Sequence, residues 1–439
     1  MTDDRPHLAR IGLAPPRVEA VAASLARCDA ALDAMGAGGD RHAAWIPGRV
    51  ELLGKHVDYA GGRSLLCAVD RGFAVRVATR TDATVRAVDV TTGEACTVPL
   101  DGTASAPPGT WANYVATVAR RMARNFPELA RGVDFAFASD LPVAAGMSSS
   151  SALMIAVSVA LAKSNQLGAS ETFRTAIATR EELASYLGSI ENGSSFRMLA
   201  GDAGVGTFGG SQDHVAILCA EPGRVLQFSF APVRREASYD MPPGHVLAIA
   251  ASGVTAEKSA GARDAYNRAA TLVAELLARW CADTARADAS LADAARSDAG
   301  APDRLRALAD ALSPAHRDRL EQFLLESFEL VPGAARALAQ GDVAALGAIA
   351  DRSQDAAERW LCNQVPETVA LARLARAHGA PAASAFGAGF GGSVWALVAE
   401  PAAADFVRAW HDAYAAEFPD AAARAAFFVT PAAGGAQQW

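Results

Sequence analysis

The stretch LPVAAGMSSSSAL, residues 141–153, decides the fold of this 439-residue chain. It joins a short apolar segment typical of a buried strand, 133–137, to an apolar run, 152–161, whose strong helix formers predict a buried helix. Small residues between them let backbone N–H groups point into open space, and the helix N-terminus adds partial positive charge. The stretch therefore predicts an anion site, most often filled by phosphate; the alternative is a serine N-cap on a surface turn.

The composition bounds the class of protein. With 51% hydrophobic and 20% charged residues, the chain is expected to be soluble and globular, and its length predicts two lobes. A net charge of -8 argues against a nucleic-acid partner. The N-terminus lacks a signal-peptide pattern and no apolar run is long enough to span a bilayer, which predicts a cytoplasmic protein without membrane contact. Six scattered cysteines without a Cys-x-x-Cys pair favour reduced thiols over disulfides or zinc.

Hydrophobic periodicity predicts a mixed α+β chain, with antiparallel strands early and helices later. Helices are expected at 18–35, 111–125, 171–187, 256–280, 320–328, 343–361 and 367–378. Strands are expected at 64–69, 73–79, 84–90, 225–230 and 246–251, and again after a glycine loop at 387–393. Residues 281–314 read as exposed helices with a solvated charged face.

Two more glycine-rich segments carry polar residues where the backbone could approach a ligand. The first, PGRVELLGKHVDYAGG, spans residues 47–62. The second, GDAGVGTFGGSQDH, spans residues 201–214 and ends in a carboxylate and a histidine, more than a linker needs.

In order and spacing, these segments resemble the signatures of the GHMP small-molecule kinases, and within them the galactokinase branch. Segment 47–62 looks like that branch's N-terminal signature, 142–153 is similar to the phosphate loop, and 387–393 looks like the C-terminal motif. The likeness extends over residues 45–398. It implies a two-lobed α+β fold, with an N-terminal lobe at 1–228 and a C-terminal lobe at 229–439, and with ATP and a sugar meeting in the cleft between the lobes.

The resemblance implies transfer of the γ-phosphoryl group of ATP to a sugar hydroxyl, in this branch the anomeric one. Asp213 would accept or orient the hydroxyl proton, and Arg49 would stabilise the deprotonated oxygen. The alternatives are a turn-capping aspartate and a surface ion-pair partner. On the sugar side, the Asp58 carboxylate would bind sugar hydroxyls. A histidine in a loop such as that of His56 more often orders the loop than binds a ligand. Tyr266 either contacts the sugar or packs on its helical neighbours.

The same resemblance assigns the nucleotide and metal sites. Magnesium needs one or two hard oxygens from the protein, here assigned to Ser150 and Glu191, with phosphate and water supplying the rest. The segment between Glu191 and Asp213 is longer than in ordinary galactokinases, which leaves the glutamate's register open. The phosphates would lie on the loop, and two glycines of the third motif would flank the same cleft: Gly146, Met147, Ser148, Ser149, Ser150, Ser151, Gly389 and Gly391.

Two segments depart from the galactokinase pattern. Lys55 stands where ordinary galactokinases place a glutamate that contacts sugar hydroxyls, so an acceptor is replaced by a cation. A cation facing the far end of the sugar would suit a carboxylate, which gives the hypothesis of an acidic sugar such as galacturonate beside galactose. The alternatives have Lys55 in solvent or paired with Glu51 or Asp58. Gln212-Asp213-His214 also differs from the usual Met-Asp-Gln.

Two other readings stay open. Some galactokinase-like proteins bind ATP and sugar without turnover and act as sensors for a partner protein, although the intact Arg49, Asp213 and serine loop favour an enzyme. Another branch of the superfamily would use mevalonate or homoserine, which the ending of the 47–62 segment disfavours. A monomer or small homo-oligomer is expected.

Overall fold

The computed structural model describes residues 3–142, 145–254 and 260–439. Its helices are α1 (Arg5–Arg10), α2 (Pro15–Ala34), α3 (Trp111–Asn125), α4 (Ser149–Ser164), α5 (Glu171–Ala176), α6 (Arg180–Asn192), α7 (Gln212–Cys219), α8 (Ala260–Thr284), α9 (Leu291–Arg296), α10 (Ala301–Leu312), α11 (Pro314–Leu325), α12 (Val331–Gln340), α13 (Val343–Ala356), α14 (Pro366–Ala377), α15 (Ala403–Glu417) and α16 (Pro419–Ala422). Two π-helical turns, Glu326–Leu330 and Ala357–Leu361, follow α11 and α13.

The strands form two sheets. They are β1 (Arg41–Leu53), β2 (Arg63–Thr79), β3 (Thr84–Asp89), β4 (Ala95–Pro99), β5 (Val133–Ser139), β6 (Arg224–Ser229), β7 (Arg234–Asp240), β8 (His245–Ala251), β9 (Ala382–Phe386), β10 (Ser393–Ala399), β11 (Ala426–Thr430) and β12 (Gln437–Gln438). The eight-stranded sheet runs β12-β1-β2-β5-β3-β4, with β6 on β2 and β7 on β6. The four-stranded sheet runs β11-β8-β10-β9. The mixed α+β class predicted from the periodicity is confirmed.

The larger sheet is covered on both faces, which explains why β1 is buried at every position after its first residue. One face packs on α1 and α2 through residues such as Leu25 and Trp45. The other contributes to the main core together with α3, α4 and α7. The serine loop before α4 and the loop after β1 thus both adjoin elements of the main core.

The division into lobes at 228/229 is a proposal, and the sheets give its context. The proposed boundary lies inside β6, and β7 continues the larger sheet before β8 opens the smaller one. The last strand, β12, returns to pair with β1. The two lobes are therefore linked by the chain passing between the sheets more than once.

Most predicted elements are present, and two differ for physical reasons. The strands expected at 64–69 and 73–79 are one strand, β2, because Gly72 lets the backbone pass close to β1: a Cβ there would lie 2.2 Å from the Ile46 carbonyl oxygen. The helix expected at 171–187 is broken into α5 and α6. Thr179 caps α6 in a capping box with Glu182, and that N-cap conformation ends the preceding helix.

The late helices form a separate core beside the loop that follows β1. Residues of α8–α11, including Trp280 and Phe323, enclose Val57 and Ala60 of that loop. The predicted helix at 256–280 is present as α8, and its first residues, 256–259, lie outside the described residues. Within the described part of the chain, no helix has the length and apolarity needed to cross a membrane.

Candidate active site

Arg49 and Asp213, which lie 164 positions apart in the chain, are in direct contact. The Arg49 Nε donates to Asp213 Oδ1 at 2.7 Å, and its Nη1 donates to the carbonyl oxygen of Gly146. Ser148 Oγ donates to the other carboxylate oxygen of Asp213. The Arg49 side chain is 4% exposed and that of Asp213 is 34% exposed. The Asp213 carboxylate thus accepts a hydrogen bond at each oxygen and remains partly exposed.

The local fold explains how Arg49 reaches this position. The pairing of β1 with β2 shifts register between Pro47 and Arg49, and such irregularities re-aim a side chain next to a site. Gly48 lies so close to Leu141 that a Cβ there would come within 2.7 Å of its Cδ2. Asp213 is in the first turn of α7, which packs on β1. The packing of α7 on β1 therefore brings Asp213 against Arg49.

The serine loop closes the site from the α4 side. Ser148 precedes α4 in the left-handed region, with φ of 60°, and its side chain makes no cap to the helix. The first turn of α4 carries no acidic residue, so the positive end of a 16-residue helix is not compensated from within. Val143 and Ala144 of the predicted phosphate loop lie outside the described residues.

The third glycine motif packs directly on the serine loop. Ser393 Oγ donates to the Ala145 carbonyl oxygen at 2.5 Å, and a Cβ on Gly387 would lie 2.8 Å from the Gly146 carbonyl oxygen. Gly389 has φ of +82°, and a Cβ there would lie 2.2 Å from the Asn363 carbonyl oxygen, so only glycine fits. Gly391 also has a positive φ, of 121°. The three distant segments therefore converge, as their order in the sequence predicts.

The residues assigned to magnesium lie near the start of α4. Ser151 Oγ donates to Glu191 Oε2 at 3.2 Å, and Ser150 is the preceding residue on the first helical turn, with Ser149 exposed before it. Glu191 Oε2 also lies 3.6 Å from the ring nitrogen Nε2 of the buried His214. Among the described residues, no group of three or more His, Cys, Asp or Glu side chains could hold a metal by itself. One carboxylate and a hydroxyl suit magnesium that takes its other ligands from phosphate and water.

The residues assigned to the sugar lie against the 201–211 glycine segment. A Cβ on Gly210 would lie 2.5 Å from Asp58 Oδ2, and one on Gly209 would lie 2.6 Å from the Tyr266 hydroxyl. Asp58 accepts from the backbone N–H groups of Tyr59 at 2.9 Å and Gln212 at 3.1 Å. The glycines therefore let this segment lie directly over the carboxylate and the phenol.

His56 is held by protein atoms at both ring nitrogens. Nε2 lies 3.0 Å from the Ala388 carbonyl oxygen and Nδ1 lies 3.1 Å from the Tyr59 hydroxyl. Its ring centroid is 5.1 Å from that of Tyr266. Burial, with Arg319 nearby, lowers the pKa of His56 to about 4, so the imidazole is neutral at pH 7. These contacts fit a residue that orders the loop and ties it to the third motif.

Lys55 points into the protein interior. It is 1% exposed, and its ammonium donates to Ser353 Oγ at 2.7 Å. Neither of the partners considered from the sequence, Glu51 and Asp58, accepts a hydrogen bond from it; Ser353 on α13 does. This part of α13 and the residues of α11 that face it were not identified from the sequence. The sequence of α11 could have indicated them, because polar residues recur there at helical spacing beside apolar ones.

Electrostatics keep Asp213 ionised. Burial raises the pKa of the Asp213 carboxyl, but the Arg49 guanidinium and the hydrogen bonds from Arg49 and Ser148 outweigh it and bring the pKa below its usual range. Burial likewise raises the pKa of Tyr266 well above its usual value, with the Asp58 carboxylate adding to the effect. At neutral pH the site thus offers a carboxylate acceptor and a phenol donor.

A second buried carboxyl has the opposite shift. Burial raises the pKa of Glu51 to about 8, against the effects of Lys55 and Arg49 and with that of Glu326. Because this value lies above the 4.5 of an unperturbed glutamate, its contribution to stability is full below pH 4.5 and is lost as pH rises toward 8. We expect Glu51→Gln to be more stable than the parent at pH 8, by on the order of 1–4 kcal/mol, with little difference at pH 5. Urea unfolding across pH 5–8.5 measures this.

The substitution keeps the contact that Glu51 makes. Gln212 Nε2 donates to Glu51 Oε2 at 2.6 Å, and an amide oxygen accepts equally well. Glu329→Gln is the matched control, since the Glu329 side chain is 59% exposed. A Glu51→Gln variant whose stability falls with pH as steeply as that of the parent would contradict the prediction.

The chain is similar to known proteins over most of its length. Residues 113–196 match the model for the GHMP kinases N terminal domain, 37–79 match the galactokinase galactose-binding signature, and 334–416 match the GHMP kinases C terminal model. The galactokinase of Chloroflexus aggregans is 30% identical over 386 residues, covering 84% of this chain and 87% of that protein. The galactokinase of Actinobacillus pleuropneumoniae is 35% identical over 113 residues, which cover only 29% of its length and 26% of this chain.

A solved structure has the same fold. The crystal structure of Lactococcus lactis galactokinase complexed with galactose superimposes with a TM-score of 0.77 at 21% identity, covering 94% of this chain and 98% of that chain. The matches to the N-terminal and C-terminal models place the chain among the GHMP kinases. Within that superfamily, the chain belongs to the galactokinase family.

Proposed function

We propose that the protein is an ATP-dependent sugar kinase that transfers the γ-phosphoryl group to the anomeric hydroxyl of a galactose-type monosaccharide. The observation that carries the proposal is the Arg49–Asp213 pair, with Ser148 on its far side, at the junction of three glycine- and serine-rich loops. The galactokinases among its relatives supply the substrate class.

The pair suits phosphoryl transfer because this reaction needs an aligned nucleophile and charge stabilisation. Asp213, ionised and open on one side, would accept a hydrogen bond from the sugar hydroxyl and take its proton as the new O–P bond forms. A carboxyl with a lowered pKa is a weak base, so its main effect would be orientation of the hydroxyl. Arg49 beside it would favour the developing negative charge on that oxygen.

The residues present fit ATP and magnesium. The uncompensated N-terminus of α4 and the left-handed Ser148 provide backbone N–H groups for phosphate oxygens. Glu191, with Ser150 as the adjacent hydroxyl, would hold magnesium, which neutralises phosphate charge when bound. Gly389 and Gly391 border the same loop.

The sugar would bind on the side of Asp58 and Tyr266. The Asp58 carboxylate accepts two backbone N–H bonds and retains lone pairs for sugar hydroxyls, while the Tyr266 phenol can donate. An acidic sugar such as galacturonate would require the Lys55 ammonium to face the substrate. The direction of the Lys55 side chain, toward Ser353, favours neutral galactose as the first candidate and galacturonate as the second.

A panel assay tests the proposal. Consumption of ATP is measured with magnesium and a series of sugars that includes galactose, galacturonate, glucose and arabinose, and the position of the phosphate is read by ³¹P NMR. We expect galactose 1-phosphate as the main product. Saturable binding of ATP and galactose without turnover of any sugar would instead favour a non-catalytic sensor, and turnover of mevalonate or homoserine alone would move the chain to another branch.

A further inference from the structure

The loop that carries His56 and Asp58 is held by one face of α11 and the turn after it. Glu326 accepts from the backbone N–H groups of Gly54 at 2.7 Å and Lys55 at 3.4 Å. Gln322 Nε2 donates to the Lys55 carbonyl oxygen at 3.0 Å, and Arg319 donates to the His56 carbonyl oxygen. The three residues recur at three- and four-residue steps and are nearly fully buried. We name Arg319, Gln322 and Glu326 the loop-binding stripe.

Lys55 extends the same network from the other side. Its ammonium donates to Ser353 Oγ at 2.7 Å, and the Ser353 hydroxyl lies 2.9 and 3.0 Å from the two oxygens of Glu326. The hydroxyl therefore relays between the ammonium and the carboxylate. Lys55, Ser353 and Glu326 are each at most 1% exposed, so water does not screen the two charges.

The charges of this network depend on a cation at position 55. Glu326 and Glu51 are both buried, and Lys55 acts on Glu51 as an opposite charge. The glutamate that ordinary galactokinases have at this position would here be a third carboxyl beside two buried ones, and it could not donate to Ser353. Leaving one member of a buried pair without its partner costs more than removing both.

We infer that Lys55 is a positioning residue, the buried counter-ion of Glu326, which fixes the loop bearing His56 and Asp58 and makes no contact with the sugar. This inference rests on the proposed function and deepens it. Because the Lys55 ammonium binds Ser353 and does not reach the sugar, the kinase favours a neutral galactose-type sugar over the corresponding uronate.

Three variants test the inference: Lys55→Met, Glu326→Gln and the double substitution. Each single variant is expected to lower Tm by about 5 °C, and the double variant by less than either single one. The KM for galactose in Lys55→Met is expected to rise about tenfold because the loop is displaced, with the KM for ATP within about twofold. The double variant recovers most of that loss. Lys163→Met, at the exposed end of α4, is the matched control and leaves Tm and both KM values unchanged.

Additive losses of Tm in the double variant would overturn the counter-ion role. So would a Lys55→Met variant that keeps its Tm and its KM for galactose but loses turnover of galacturonate, since that result would make Lys55 a ligand of the substrate. The Tm measurements need no turnover. They decide the inference even if the parent phosphorylates no sugar, an outcome that would instead remove the proposed function.

Discussion

Asp213→Asn is expected to lower kcat by about 10²–10⁴-fold while leaving the Kd values for ATP and galactose within a few-fold. The amide keeps the shape of the side chain and one acceptor oxygen, to which Arg49 Nε can still donate, while the Ser148 hydroxyl can accept from the amide NH2 in place of donating. What is lost is the charge that attracts the hydroxyl proton. Steady-state kinetics combined with isothermal titration calorimetry separate the chemical step from binding.

The control for this substitution is Asp303→Asn, because the Asp303 side chain is 85% exposed and lies in α10, away from the serine loop. It should keep the kcat of the parent. An Asp213→Asn enzyme with more than about a tenth of the parental kcat would show that the carboxylate does not take part in the chemical step.

The convergence of distant segments is the part of the structure that the sequence could predict. Small residues are needed where two backbones approach closely. The glycines at 387–393 and the serines at 148–151 therefore indicate, from the sequence alone, segments that can pack against another backbone. The buried helix α4 was predictable from its apolar run, and the pairing of Arg49 with Asp213 was expected from the resemblance to the kinases. The family and the α+β fold follow from these features.

The direction of a charged side chain could not be predicted in the same way. The Lys55 ammonium can be directed toward Asp58 of its own loop or toward the helices packed on that loop, and the sequence alone does not choose between them. The choice is made by Ser353 and Glu326, about 300 and 270 residues away, which offer acceptors in a dry environment. The register shift at Pro47 and the continuity of β2 through Gly72 depend in the same way on a neighbouring strand.

Arg49 connects all three parts of the candidate site, and this explains why its geometry matters as well as its charge. One guanidinium donates to Asp213 and to the Gly146 carbonyl oxygen from two different nitrogens. Its Cζ atom lies 5.9 Å from the centroid of the Phe386 ring, which precedes the third motif. An ammonium cannot make both contacts with the same alignment. We expect kcat to fall by about 10²-fold in Arg49→Lys and by about 10³-fold in Arg49→Gln at pH 8. Arg408→Lys, at a side chain 69% exposed, is the control that keeps the parental rate.

The pH dependence of these two variants should differ because Arg49 counteracts the burial of Asp213. With the cation present, the pKa of Asp213 is below its usual range, so the parent keeps its carboxylate at pH values where an ordinary aspartate is already protonated. In Arg49→Gln the effect of burial remains and the opposing charge is lost, so the pKa of Asp213 rises and the carboxylate is protonated at a higher pH. The acid limb of kcat/KM should therefore move upward by at least about one pH unit in Arg49→Gln and stay near the parental position in Arg49→Lys. Identical acid limbs in all three proteins would mean that Arg49 does not set the ionisation of Asp213, and its role would reduce to holding the Gly146 carbonyl.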